Sequence, residues 1–335
     1  MGESYYNDMI PEVAQELKEA GLLKEDDGAQ CIFIEKFKKQ PPLFIIKKDG
    51  GFGYDSTDMA AIKYRLKNLG CNRVVYITDI GQEPHFTYCF AASEKIGWHK
   101  PPQTRLEHMG FGIVLGEDGK RFRTRSSETV KLKDLLDEAK DRALSKIKER
   151  QNEANKEEGE ESKGNVTFLS EQQYEEAAEV MGMAAIKYYD LRQNRISDYI
   201  FSYDKMLDTK GNTAVYLLYS YARLCSILRK SEIDVNQLKD IGKNKGFKIT
   251  HPHERAIVAC LVKFVDVLQS VTDDLAINRL TDYIYELACK IAEAYHKYHI
   301  NNSEDKETRV LLIEATRIVL KKSLYLIGIE PLERI

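Results

Sequence analysis

Several common patterns are missing from these 335 residues, and each absence narrows the chemistry. The six cysteines, Cys31, Cys71, Cys89, Cys225, Cys260 and Cys289, never form a CxxC pair and never cluster with histidine, which removes the usual zinc spacings and a redox dithiol. Three of them fall inside apolar helical patterns, as reduced core thiols do. No apolar run approaches the roughly 18 residues of a membrane span, so no membrane partner is expected. The opening "MGESYYNDMIPEV" lacks the basic-then-apolar order of a secretory signal, and Tyr6 stands where a myristoylation pattern needs Ser or Thr. There is no GxxxxGK[ST] and no GxGxxG after a strand. Neither sign of charge dominates: 50 basic residues meet 53 acidic ones for a net charge of -3, so any polyanion must be met by a local basic patch. These absences describe a reducing, cytoplasmic chain without a dedicated metal site.

What is present suggests two folded units, since 335 residues with 43% hydrophobic content exceed one ordinary core. The stretch "KERQNEANKEEGEESK" (148–163) has ten charged residues in sixteen and reads as a frayed helix end running into a linker. Before it, strand-like and helix-like patterns alternate. "LFIIK" (43–47) and "RVVYITD" (73–79) flank a capped helical segment that stops at Gly70, a βαβ unit expected to set the two strands parallel and adjacent. A further helix at about 82–96 leads to the strand-like "FGIVL" (111–115). After it, apolar stripes at helical spacing recur: Ala214, Leu217, Leu218, Tyr221, Cys225 and Leu228, then Tyr283, Ile284, Leu287, Ile291 and Tyr295. Similar stripes cover 173–192, 255–269 and 307–327, which predicts five or six helices with no fixed-period repeat. The fold class is therefore α/β plus all-α, an open parallel sheet followed by a helical bundle.

Ligands of open parallel sheets sit beyond the carboxyl ends of the strands. There "KKDGGFGYDSTD" (47–58) offers Tyr54 and Asp58, and "DIGQEPHF" (79–86) offers Gln82 and His85. An acid, a phenol, an amide and an imidazole converge without a nucleophile and base pairing of the covalent-catalysis kind. Helix-dipole compensation by Asp58 and capping or packing by His85 are the structural alternatives. Beyond the third strand, "GKRFRTRSSETVKL" (119–132) carries Lys120, Arg121, Arg123 and Arg125 with Thr124 and Ser126, a segment suited to gripping a polyphosphate, or else a solvated charged turn.

The blocks "GGFGYDSTDMAAIKYRL", "VVYITDIGQEPHF", "HMGFGIVLGEDGKRFRTRSSETVKL", "NRISDYIFSYDKMLDTKGNTAVYLLYSYAR" and "LYLIGIEPLERI" resemble successive blocks of arginyl-tRNA synthetases of the eukaryotic cytosolic type. They match in order and spacing over almost the whole chain. The resemblance implies a class I ligase: the C-terminal part of a Rossmann-like catalytic domain at 1–147, a charged linker at 148–166, and an α-helical anticodon-binding domain at 167–335. It places a KMSKS-like loop at 120–126, with Arg125 at the second lysine of that signature and Lys120, Arg123 and Ser126 as its companions. It assigns Tyr54, Asp58 and Gln82 to L-arginine, and His85, Met109, Gly110, Phe111 and Gly112 to ATP, which brings Mg2+ with it. In the helical half it makes Arg195, Tyr203, Lys205, Lys210, Asn212 and Tyr216 candidates for contact with tRNA(Arg), with Tyr295 and His299 as stacking platforms.

The same resemblance marks departures. None of the seven histidines forms the HxGH motif of class I synthetases, and the match starts midway through the family's catalytic domain. The expectation is a C-terminal portion with an incomplete arginine pocket, inactive by itself and prone to self-association through an exposed partial sheet. A non-catalytic tRNA-binding fragment or paralogue, or a protein-interaction module, is the alternative.

Overall fold

In the computed structural model, which describes residues 1–120, 131–157, 170–297, 300 and 303–335, the chain divides into two units, Met1–Gly112 and Ile113–Ile335. The sequence divides the chain instead within 148–166, of which 158–166 lie outside the described residues.

The first unit opens with a 3-10 turn and the helix α1 (Ile10–Glu19), whose Ile10, Val13, Ala14 and Leu17 are buried at the i, i+3, i+4, i+7 spacing of one helical face. Strands β1 (Leu23–Asp26) and β2 (Ala29–Ile32) form a hairpin through Asp27 and Gly28, both at positive φ as a two-residue turn matched to strand twist requires. Strand β3 (Leu43–Ile46) adds antiparallel to β2. Helix α2 (Tyr54–Lys63), strand β4 (Arg73–Asp79), helix α3 (Glu83–Lys95) and strand β5 (Arg105–Phe111) follow, with β4 and β5 parallel over their full lengths.

The helices at 54 and 83 stand where their signals lie, but the strand pairing differs from expectation. β3 and β4 are not neighbours; they belong to separate sheets. The reason lies in the first turn of α2. Asp55 Oδ2 accepts the Phe44 amide at 2.7 Å, and the Ser56 hydroxyl donates to the Ile45 carbonyl at 2.6 Å. Side chains of the helix thus satisfy β3 backbone groups that a further strand would need. The segment 111–115 is likewise divided: Phe111 ends β5, whereas β6 (Val114–Leu115) pairs in the second unit with β7 (Tyr199–Ile200).

The second unit is helical. Helix α4 (Leu132–Glu157) continues into the charged stretch, and α5 (Glu171–Leu191) begins at a capping box between Ser170 and Gln173. After the single turn α6 (Tyr203–Met206) come α7 (Ala214–Ser231), α8 (Val235–Asn244), α9 (Pro252–Val262), α10 (Phe264–Asp274), α11 (Asn278–Lys297) and α12 (Lys306–Leu326). The stripes on α7 and α11 form the core, except that Tyr295 is 46% exposed. The stripe at 255–269 is two helices rather than one, because the Lys263 amide bonds the Cys260 carbonyl three residues back and turns the chain between α9 and α10. Cys31, Cys89, Cys225 and Cys260 are buried free thiols, and no described helix is long and apolar enough to cross a membrane.

Candidate functional site

The loop after β4 and the start of α2 build an open cleft of about 700 Å³ in the first unit. Asp79 closes the loop by accepting the Gly81 amide at 2.8 Å, which starts the 3-10 turn Ile80–Gln82 and exposes Gln82 on the rim. Gly53 caps α2, so Tyr54 and Asp58 lie one turn apart on the wall facing that rim. Tyr54, Asp58, Gln82 and His85, named from the sequence, all line this single cleft.

His85 is held on both sides. Its Nε2 lies 2.8 Å from Asp58 Oδ2 and its Nδ1 lies 3.3 Å from Asp55 Oδ1. Asp55 is buried, whereas Asp58 keeps 28% of its side chain open to the cleft. Burial pushes the imidazole pKa down, but the bonds to Asp55 and Asp58 outweigh it and raise it to about 12, so the ring is an imidazolium. Cys89, 3.7 Å from Nε2, is a neutral thiol whose pKa burial raises to about 11 against the opposing pull of His85. Tyr54 meets the imidazole edge-on at 5.0 Å.

Residues the sequence did not single out complete the cleft. Arg65 reaches over the rings of Tyr6 (5.6 Å) and Tyr76 (5.0 Å) and donates to the Tyr6 hydroxyl at 3.3 Å. Phe86 stacks on His108, which bonds Thr78 at 2.8 Å. Met109, Gly110 and Phe111 form the carboxyl end of β5 beside Ile77, Thr78 and Asp79, with Gly112 following. A methyl at Gly110 would lie 2.6 Å from the Ile80 Cδ1 atom and 3.0 Å from Ile80 Cα, so the β4 loop passes close over this strand at a residue without a side chain.

Lys120 is exposed, ends a turn closed by the bond from the Gly116 amide to its carbonyl, and lies in the second unit. Arg123, Arg125, Ser126 and His299 lie outside the described residues.

The second unit has its own groove of about 480 Å³, lined by Lys146, Lys210 and Arg223 with one acid, Glu149, and by Tyr216 and Tyr219. The Arg223 guanidinium carbon is 5.3 Å from the Tyr295 ring centroid, which extends the basic and aromatic surface. Of the sequence candidates, Lys210, Tyr216 and Tyr295 fall at this surface, and Lys205 is exposed elsewhere on the 203–206 turn. Asn212 and Tyr203 serve the fold. Asn212 accepts from the Tyr188 hydroxyl at 2.6 Å and from Arg192, while Tyr203 donates to the Leu135 carbonyl at 3.2 Å beneath Arg142. Arg195 is half-buried. Lys146 and Arg223 went unnamed because Lys146 is one cation of many on a charge-rich helix and Arg223 sits on a helix whose apolar stripe dominates the pattern.

The family model described as "tRNA synthetases class I (R), catalytic domain" matches residues 1–203, and that described as "DALR anticodon binding domain" matches 217–335. The chain is 43% identical over 337 residues to the cytoplasmic arginine–tRNA ligase of Arabidopsis thaliana, covering 100% of this chain and 54% of the relative. It is 42% identical to the chloroplastic/mitochondrial arginine–tRNA ligase of the same plant, covering 100% of this chain and 50% of that relative. The crystal structure of arginyl-tRNA synthetase from Plasmodium falciparum superposes with a TM-score of 0.85 at 36% identity, over 100% of this chain and 54% of that one. The chain spans about half the length of the curated relatives it matches.

Proposed function

The chain belongs to the class I arginyl-tRNA synthetase family, and from that premise we propose that it recognises arginine, grips ATP phosphates and reads tRNA in the ATP-dependent ligation of arginine to its tRNA. The observation that carries this reading is Asp58, a carboxylate open to the cleft and fixed from behind by charged His85, with Tyr54 and Gln82 alongside. A planar guanidinium takes a carboxylate through two parallel N–H bonds. A lysine ammonium lacks the planar fork, and the neutral urea of citrulline lacks the charge.

In the proposed reaction the arginine carboxylate attacks the α-phosphorus of ATP and pyrophosphate departs. A ribose hydroxyl at the tRNA terminus then attacks the adenylate's carbonyl carbon, forming the ester as AMP leaves. No side chain becomes covalently attached; orientation and charge stabilisation lower the barrier. Lys120 with Arg123, Arg125 and Ser126 would hold the triphosphate, and Met109, Gly110, Phe111 and Gly112 would line the nucleotide; His85, named with them from the sequence, keeps both ring nitrogens on Asp55 and Asp58 and is left out of that lining. Magnesium would travel with the nucleotide: among the described residues no group of three or more His, Cys, Asp or Glu is placed to hold a metal. The groove of Lys146, Lys210, Arg223, Tyr216 and Tyr219, with Tyr295, suits the phosphates and unstacked bases of tRNA(Arg). The proposed compartment is the cytoplasm. Self-association through the β4–β5 sheet, whose Ile77 and Phe111 are exposed, belongs to the same reading, and sedimentation measures it.

Calorimetric titration of arginine into the chain and into Asp58→Asn tests the assignment. The native chain binds saturably, and the variant binds at least about 100-fold more weakly, as loss of a charge-assisted bidentate pair requires. Equal affinities would overturn it. A second reading, in which the chain binds tRNA without charging it, rests on the groove of the second unit alone; charging of total tRNA with labelled arginine separates the two.

A further inference from the structure

The imidazole between Asp55 and Asp58 does more than pack. Each ring nitrogen faces a carboxylate, at 3.3 Å and 2.8 Å, so neither is left to bond a ligand. Asp55 is anchored in turn: its other oxygen accepts the Phe44 amide at 2.7 Å, which ties the array to β3. The chain of bonds therefore runs from a strand backbone through a buried acid and an imidazolium to the one carboxylate that opens into the cleft. We propose that Asp55, acting through His85, is a positioning residue that holds the ring doubly protonated and aims the Asp58 carboxylate at a guanidinium ligand. This inference rests on the arginine reading above.

Two carboxylates and one imidazolium sum to a single negative charge, the complement of one guanidinium. Without the Asp55 charge the ring keeps one carboxylate partner: as an imidazolium it would cancel Asp58, and as a neutral ring it would leave Asp58 charged but held by an ordinary N–H bond in place of a charge-assisted one. The other groups facing His85 cannot replace Asp55. Cys89 is a neutral thiol, Tyr54 and Phe86 present ring edges, and His108 lies behind Phe86. The other charged side chains lining the cleft are Arg65, of the wrong sign, and Glu3, an exposed residue of the opening 3-10 turn and not one of the two carboxylates that face the ring.

Asp55→Asn is the informative substitution because it keeps the contacts. An asparagine carbonyl still accepts the Phe44 amide, and its NH2 donates to a neutral His85 at Nδ1, leaving Nε2–H for Asp58. Only the charge and the tautomer change. The full chain, with 15N-labelled histidine, is examined by NMR at pH 8, using His85→Gln to identify the His85 signals. Arginine and citrulline are then titrated by calorimetry. The proposal expects both His85 nitrogens protonated in the native chain and a neutral ring in Asp55→Asn. Arginine affinity should fall about tenfold, the scale of exchanging the charge-assisted bond that holds Asp58 for a neutral one, while citrulline affinity changes by less than about threefold. A neutral His85 in the native chain would overturn it, as would an Asp55→Asn variant that keeps the arginine affinity. If His85 is charged but the native chain takes up no arginine, the arginine reading fails, and the aiming role fails with it for that separate reason.

Discussion

Gly182 sits where α5 crosses α4, and replacing it with alanine sets two known effects against each other. A methyl there would lie 2.7 Å from the Lys140 amide nitrogen and 2.8 and 2.9 Å from the carbonyl carbon and oxygen of Ala139. All three are main-chain atoms, so no rotamer change can relieve the clash and one helix must move. Overpacking of a tight core contact costs about 1–3 kcal/mol, and a rigid backbone on the far side places this site toward the upper end. Exchange of glycine for alanine in a helix returns about 1 kcal/mol. The net loss is about 1–2 kcal/mol, a fall of roughly 2–4 °C per kcal/mol in the melting temperature of a unit this size. Gly242 on α8 is the internal control, since a methyl there would meet the Leu311 side chain at an ordinary 3.6 Å. Gly242→Ala should therefore stabilise by about 0.5–1 kcal/mol through propensity alone. Thermal and urea unfolding of both variants measures the difference. Stabilisation by Gly182→Ala equal to that of Gly242→Ala would refute the close-approach argument.

Further consequences concern buried polar groups and the basic groove. Tyr88 is buried, donates to the Ile32 carbonyl at 3.2 Å and accepts the Ile34 amide at 2.8 Å, so Tyr88→Phe should cost about 1–3 kcal/mol in urea unfolding by orphaning both. Glu254 is 1% exposed and accepts from the Thr250 and His251 amides and from Arg309 at 2.9 Å. Burial pushes its pKa up, but those bonds win and hold it below the usual 4.5. The unfolded chain therefore takes up the proton first on acidification. Glu254's contribution is complete above pH 4.5 and is lost as pH falls through the lowered folded value, so Glu254→Gln should be less stable at pH 7 and show a shallower loss in acid. Arg223→Ala should weaken tRNA binding by about tenfold in filter or gel-shift assays, the scale of one lost cation–ring or stacking contact, and leave arginine affinity unchanged.

Much of this was legible in the sequence, and the limits have physical causes. The stop at Gly70 and the apolar stripes of α7 and α11 are local signals, and those elements stand where the signals lie. Pairing of β3 with β4 was the expectation that failed, because a helix side chain occupying a strand edge is a tertiary event that no periodicity records. Asp55 was invisible for the same reason: an acid in the first turn of a helix looks like dipole compensation, and only the fold turns it under His85. Tyr54, Asp58 and Gln82 were named through resemblance to a family, and they line the same cleft. Arg65 and Tyr6 join that cleft from 59 residues apart. Asn212 was named a tRNA candidate through the family resemblance, and the bond its side chain accepts from the Tyr188 hydroxyl is a tertiary contact that the sequence does not show.

The central claim is that the Asp58 cleft selects a guanidinium by charge and planarity together. Its most direct test is a comparison of arginine with citrulline, isosteric but neutral, in equilibrium titrations of the native chain. Arginine binding at least about 30-fold tighter than citrulline, the scale of about 2 kcal/mol from one desolvated charge pair, is the predicted result. Equal affinity for the two ligands, or tighter binding of citrulline, would contradict it.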